Sequence, residues 1–199
     1  MPVTIRPVTA ADRPVWEEMF DAYAAFYKTS VSAEGKAATW GWIHDPDEDF
    51  WSDLALDDAG RVVGMVQYQL MHRSLSGQKV VYLSDLYVRP DIRGGGFGRA
   101  MINHVIGFAK ARKISNVRWL TQEFNYAGRQ LYDSFRPKSD FILYSVPVEE
   151  GADTPVRGAF LPPMRVATHP GWQALILTPA GRSRTSARVR AFSAALATP

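Results

Sequence analysis

The chain of 199 residues contains no cysteine. That absence excludes disulfide scaffolds, thiolate zinc sites and a cysteine nucleophile together. No apolar run approaches the roughly 20 residues that a bilayer-crossing helix needs, and the opening Met1-Pro2-Val3-Thr4-Ile5-Arg6 lacks the charged, then apolar, then small-residue order of a secretory signal. The chain therefore reads as cytoplasmic, with no membrane partner. No Gly-Lys-Ser or Gly-Lys-Thr occurs, which removes the P-loop. Internal repeats are missing as well. What is present forms a core: 46% apolar and 12% aromatic residues exclude wholesale disorder. The length suits one domain of about 150 residues with a remainder.

The basic pI of the chain is a property of its last quarter. Of 23 basic residues, six (Arg157, Arg165, Arg182, Arg184, Arg188 and Arg190) follow residue 150, and of 20 acidic residues only Asp153 does. That leaves 17 basic against 19 acidic residues in the first 150. A nucleic-acid partner therefore has no support from the body of the protein. Beyond Gly151 the texture also changes, with prolines at 155, 162, 163, 170 and 179 and only Trp172 to Leu177 strand-like. Residues 1–148 read as one domain, and 149–199 as a Pro/Arg/Ala-rich, poorly packed extension without a periodic apolar face.

Within the body, Val3 to Arg6 alternates like a strand. Thr9 with Asp12 three residues on forms an imperfect capping box, after which Trp16, Met19, Phe20, Tyr23, Phe26 and Tyr27 recur at helical spacing over residues 10–28. Ser32 can cap a second helix through Trp42. Residues 51–56 and 61–71 read as strands about the turn Asp57-Asp58-Ala59-Gly60, and Val80 to Val88 as a central strand. Met101, Ile102, Val105, Ile106 and Phe108 mark the clearest helix. Val117 to Thr121 is strand-like, 126–135 a short helix, and Phe141 to Val146 a final strand. Strand, two helices, three strands, helix, strand, helix, strand is an α/β order with a mixed sheet.

Between the central strand and the clearest helix lies Arg93-Gly94-Gly95-Gly96-Phe97-Gly98. Glycines there let backbone N–H groups converge, and the helix start adds partial positive charge, so the loop suits an anion. A dinucleotide fingerprint would need glycine at position 99, which is Arg99. The spacing that fits is R-x-x-G-x-G, with Arg93, Gly96 and Gly98. Together with Leu83-Ser84-Asp85-Leu86-Tyr87-Val88-Arg89-Pro90 before it, and Asn125 followed by Leu131-Tyr132, it resembles the pyrophosphate loop of the GNAT superfamily of acetyl-CoA-dependent N-acetyltransferases. Lys138 through Tyr144 adds a likeness to the small histone and polyamine acetyltransferase branch. The resemblance covers residues 3 to 147. It departs where Phe135-Arg136-Pro137 replaces a glycine after Leu-Tyr, and where Gly128 replaces an alanine.

The resemblance implies a mixed, mostly antiparallel central sheet flanked by helices, with acetyl-CoA as co-substrate. Leu86, Tyr87 and Val88 would offer backbone groups to the pantetheine arm. Arg93, Gly94, Gly95, Gly96, Phe97, Gly98 and Arg99 would hold the pyrophosphate, and Asn125 belongs to the same cofactor set. Tyr132 would donate a proton to the departing thiolate; its alternative is a core aromatic beside Leu131. For the base, Asp85 and Glu123 are candidates. Ser84 and Asp85 are expected to face opposite ways, so only one of them meets the acceptor, and the alternative for Asp85 is a structural hydrogen-bonding group. Tyr23, Tyr27, Trp40, Trp42 and the acidic run 45–49 fall in the acceptor-covering region, although helix aromatics are usually core. His44, His72, His104 and His169 show no metal-ligand spacing, so no metal is expected.

The expected function is transfer of acetyl to the primary amine of a small molecule, a polyamine or amino acid, by direct attack. A protein lysine or N-terminal amine is the second acceptor class, and a non-catalytic CoA-binding regulatory module is the rival outside enzymology. An arginine-rich tail that recruits nucleic acid or an acidic protein is a third reading, and a homodimer is compatible with all of them.

Overall fold

Asp12 decides where the first helix starts. Its carboxylate accepts two hydrogen bonds from the Arg6 guanidinium, at 2.7 and 2.8 Å, one from the Thr9 N–H at 2.8 Å and one from the Thr9 hydroxyl at 2.6 Å. These donors, Arg6 first, hold the Asp12 carboxyl far below the usual carboxylate range, so it stays charged at neutral pH and ties the first strand to the first helix.

The computed structural model describes residues 3–147, and the extension expected at 149–199 lies outside the described residues. Strand β1 (Thr4–Pro7) leads through a 3-10 turn at Ala10–Asp12 into α1 (Arg13–Phe26) and α2 (Ala33–His44). Ser32 caps α2, its hydroxyl accepting from the Gly35 N–H at 3.0 Å. Then come β2 (Phe50–Leu56), β3 (Val62–Arg73), β4 (Gln78–Val88), α3 (Phe97–Ala111), β5 (Val117–Arg118) and α4 (Tyr126–Asp133). The sheet follows chain order, β1-β2-β3-β4-β5, antiparallel up to β4 and parallel between β4 and β5. This is the mixed, mostly antiparallel sheet that the sequence predicts. Among the described residues no helix is long and apolar enough to cross a membrane.

Both faces of the sheet are covered. On one, Trp16 and Met19 of α1 pack on Leu54, Met65 and Tyr87; on the other, Met101, Ile102 and Val105 of α3 pack on Val66, Tyr68, Val81 and Leu83. Each large side chain buried this fully is worth roughly 1.5–3 kcal/mol. A polar tie crosses the second layer, where buried Asp53 accepts from the Tyr68 hydroxyl at 2.7 Å and meets His104 Nε2 at 2.8 Å.

The structure departs from the sequence expectation in four places here. The strand predicted over Val117 to Thr121 is only Val117–Arg118, and Phe141 to Val146 forms no strand. A further strand needs an edge to pair with, and β5 offers only this short one. Phe141, Ile142 and Leu143 stand exposed instead. Trp40, expected over the acceptor, packs into the α1–α2 layer with its ring 5.0 Å from Trp16 and 4.4 Å from His44. The acidic run 45–49 sits at the end of the sheet where β4 begins, with Asp49 paired to Lys79, whereas the glycine loop follows the end where β4 finishes.

Candidate active site

From Arg73↔Gln78 to Tyr68↔Leu83 strands β3 and β4 pair without interruption, and then Gln67 faces Asp85. Ser84 is therefore one residue too many, a β-bulge on β4. Its effect can be followed in the packing: Val81 and Leu83 face the α3 layer before it, Leu86 and Val88 after it. The bulge also overturns the expectation that Ser84 and Asp85 face opposite sides. Asp85 Oδ2 accepts from Gln67 Nε2 at 2.8 Å and the Ser84 hydroxyl lies 3.3 Å from Gln69 Nε2, and Gln67 and Gln69 share one face of β3.

Beyond the bulge β4 loses its outer neighbour. Among the described residues it pairs with β5 only at Val81↔Val117 and Tyr82↔Arg118, and none of them forms a strand on its outer edge from Leu83 to Val88. Every second N–H and C=O of that stretch points away from β3, ready for an extended ligand to pair with.

Asp85 lies on the α1 side of this edge. Burial pushes its carboxyl above the ordinary aspartate value, opposed by hydrogen bonds from Gln67 and Tyr23. Tyr23 of α1 also reaches the Ser84 carbonyl at 3.3 Å. Its phenol is pushed strongly up, by burial first and then by the charge of Asp85 and the neighbouring Tyr27 and Tyr132. Tyr132 of α4 is pushed up to about 12 by burial first and then by Tyr27, with the Asn125 amide opposing. The structure thus brings Tyr23, Tyr27, Tyr132 and Asp85 together from α1, α4 and β4. Tyr132 remains a protonated phenol across the physiological range, and Asp85 is a carboxyl with a raised affinity for a proton.

The loop after β4 turns on two glycines in left-handed conformation, Gly94 at φ +87° and Gly96 at φ +86°. Among the described residues the N–H groups of Gly94, Gly96, Phe97, Gly98 and Arg99 have no acceptor within the chain. Five free donors at the start of a 15-residue helix form a cradle of backbone N–H groups with the chemistry to meet an anion. Close packing holds the cradle down: a Cβ on Gly98 would come within 3.0 Å of Leu131 in α4.

Comparison with known proteins agrees with this geometry. The model of the acetyltransferase (GNAT) family matches residues 16–135, from the first core tryptophan to just past the end of α4. The chain belongs to the GNAT family. It is an N-acetyltransferase by that membership, and GNAT enzymes use acetyl-CoA. Over 143 residues it is 29% identical to a D-amino-acid N-acetyltransferase, HPA3, of Saccharomyces cerevisiae, covering 71% of this chain and 89% of that one. Its fold is similar to that of a ribosomal-protein-alanine N-acetyltransferase from Brucella melitensis biovar Abortus 2308, with a TM-score of 0.62, 20% identity, and 74% of this chain and all 100% of that one covered. An aminoglycoside acetyltransferase from an uncultured soil metagenomic sample gives a TM-score of 0.62 at 15% identity, over 74% of this chain and 97% of that one.

Other GNAT-motif positions behave differently from one another. Asn125 caps α4: its Oδ1 accepts from the Gly128 N–H at 3.1 Å and its Nδ2 donates to Thr121 at 2.9 Å, so it aims the helix that carries Tyr132. Arg93 donates from Nε to the Val88 carbonyl at 3.1 Å, bracing the loop against the strand end. Glu123 is exposed in the connection before α4, where its carbonyl accepts from Arg129, and it makes no contact with Asp85. Sequence reasoning missed Phe26 and Phe124. Their rings lie 6.0 Å apart, Phe124 is 6.2 Å from Tyr27, and Lys28 and Arg93 sit over Phe124 and Phe26. The spacing of α1 places Phe26 three residues after Tyr23, but nothing in the sequence brings the loop residue Phe124 to it.

Proposed function

We propose that this enzyme transfers acetyl from acetyl-CoA to the primary amine of a small amino acid by direct attack. The reading rests above all on Asp85, a half-buried carboxylate set among three tyrosines beside the unpaired edge of β4. In this scheme the free N–H groups of residues 94 and 96–99 hold the pyrophosphate. The pantetheine arm pairs along Leu86, Tyr87 and Val88, where one N–H polarises the thioester carbonyl. Asp85 takes one proton from the substrate ammonium, the neutral amine nitrogen so formed bonds to the carbonyl carbon, the tetrahedral intermediate loses its second N–H proton to solvent, and collapse of the oxyanion breaks the C–S bond. The Tyr132 phenol gives its proton to the departing thiolate. Tyr23 and Tyr27 flank the amine.

Charge at the mouth favours an amino acid over a polyamine. The cations Lys28 and Arg93 lie against the Phe26–Phe124 pair, whereas the acidic run 45–49 lies at the other end of the sheet. A second positive group on a polyamine would meet like charge there; a carboxylate would not. The yeast relative, a D-amino-acid N-acetyltransferase by name, points the same way. The experiment is an acceptor panel of L- and D-amino acids, spermidine and a lysine peptide, followed by release of free thiol. Free amino acids should give kcat/KM at least about tenfold above spermidine, a 1.4 kcal/mol difference in transition-state binding. Preference for spermidine or the peptide would reject the acceptor assignment.

The cofactor half of the reading is tested at Gly96. Its positive φ disfavours any side chain by about 1–2 kcal/mol, yet a Cβ there meets nothing within 4 Å. Gly96→Val should therefore fold with slightly reduced stability, while the crowded cradle loses at least about tenfold in acetyl-CoA affinity, or 1.4 kcal/mol. Gly77→Val is the control, since Gly77 has φ +60° in the turn between β3 and β4, at the opposite end of β4 from the loop, and equally open space. Calorimetric titration should separate the two variants; equal affinities would remove the cradle from the cofactor site.

A further inference from the structure

Gln67 is a polar residue with no exposed surface, set in the layer formed by Trp16, Met19, Leu54 and Met65. An amide in that position is costly unless both of its ends are bonded. Both are: Oε1 accepts from the Trp16 indole Nε1–H at 2.8 Å, and Nε2 donates to Asp85 Oδ2 at 2.8 Å. The indole nitrogen is a donor only. It therefore fixes the amide oxygen toward Trp16 and leaves the NH2 group facing Asp85, which removes the usual ambiguity of amide orientation.

We infer that Gln67 is a positioning residue for acetyl transfer, holding the Asp85 carboxylate ionised and aimed at the amine, with Trp16 locking the amide in its donor orientation. The inference rests on Asp85 acting as the base. Register puts Gln67 directly opposite Asp85 across the bulge, so the donor arrives from the strand side and occupies one carboxylate oxygen. Tyr23 bonds the same carboxylate from α1, and the proton of the acceptor goes to the oxygen that Gln67 leaves open. The titratable groups around Asp85 are phenols: Tyr23 from α1 and Tyr82 from its own strand, both pushed up by burial, with Tyr27 and Tyr132 beside Tyr23. None supplies a positive charge. Hydrogen bonds, chiefly that of Gln67, are what favour the charged carboxylate against burial.

The test is the pH profile of kcat for Gln67→Met, which keeps the length of the side chain and removes the donor. The acid limb should move upward by about one pH unit, giving a roughly tenfold loss below the limb. Rates should return to within about twofold of wild type on the alkaline plateau, with the acetyl-CoA KM unchanged. Trp16→Phe, which leaves Gln67 in place and frees the amide to turn over, should move the limb the same way by a smaller amount and serves if the first variant does not fold. A lowered plateau with an unmoved limb in the folded variants would make Gln67 merely structural and overturn the inference. The same profile on Asp85→Asn keeps the two claims apart. If the limb persists there, Asp85 is not the base and the underlying reading fails. If it vanishes there but stays put in Gln67→Met and Trp16→Phe, only the role of Gln67 fails.

Discussion

An Asp85→Asn enzyme is expected to lose activity without losing stability. Removing a general base costs about 10²–10⁴-fold in rate, and kcat should fall by about a hundredfold or more while acetyl-CoA binding is unchanged. Stability should move the other way or not at all. Burial raises the folded-state pKa of Asp85 above its unfolded value, so the folded protein holds that proton more tightly than the unfolded chain does. The stabilisation from protonation is complete at pH below the unfolded value of about 3.9 and is lost as pH rises through the folded one. At neutral pH wild type therefore carries the cost of a buried charge that asparagine does not. Melting curves at pH 7 should show Asp85→Asn at least as stable as wild type, with the difference shrinking toward pH 4. Parallel losses of rate and melting temperature at pH 7 would make Asp85 a structural carboxylate and remove it from the reaction.

The position of Asp85 follows from one inserted residue. Without Ser84, β4 would keep a single alternation and pair along its length; with it, the strand twists, the Asp85 carboxylate and Ser84 hydroxyl come to one side, and β5 is left behind after Arg118. The unpaired backbone edge and the placement of the carboxylate are thus one structural event. The glycine loop begins where the same strand ends, so cradle and carboxylate are set by opposite ends of six residues, Leu83 to Val88.

Much of this was legible in the chain. The order of elements, the α1 aromatics that line up Tyr23 and Tyr27, the Ser32 cap and the glycine turn with its open N–H groups all come from local chemistry, which acts over a few residues. The bulge had a local signature too, since the buried apolar positions Val81 and Leu83 are followed by Leu86 and Val88, a change of parity within one strand. Reading the run as a regular strand hid it. What local pattern does not carry is pairing. Phe141 to Val146 has the composition of a strand but finds no long edge, and Trp40 has the composition of an acceptor wall but finds Trp16 first. Gln67 is invisible in the same way, because a glutamine between apolar residues says nothing until the strand register sets it between an indole and a carboxylate.

Tyr132→Phe carries the second large effect, and its outcome separates an acid from a core ring. The ring packs edge-on against Trp119 with centroids 5.7 Å apart, and phenylalanine keeps that contact. Only the hydroxyl is lost, so stability should change by no more than about 1 kcal/mol, the net worth of one hydrogen bond. The rate should fall further. General acid catalysis is worth about 10²–10⁴-fold, and because a thiolate is already a tolerable leaving group the loss should lie near the lower end. The phenol titrates at about 12 in the folded protein, so wild type keeps its acid through the working range and an alkaline limb from Tyr132 begins only as pH nears that value. A leaving group of lower pKa needs the proton less. Replacing acetyl-CoA with an acetyl thioester of a more acidic thiol should therefore recover most of the lost rate in Tyr132→Phe while barely altering wild type. If the phenylalanine enzyme turns over acetyl-CoA normally, the hydroxyl is idle and Tyr132 is a packing residue. If it is slow and the activated thioester recovers nothing, the hydroxyl orients the substrate rather than protonating the thiolate.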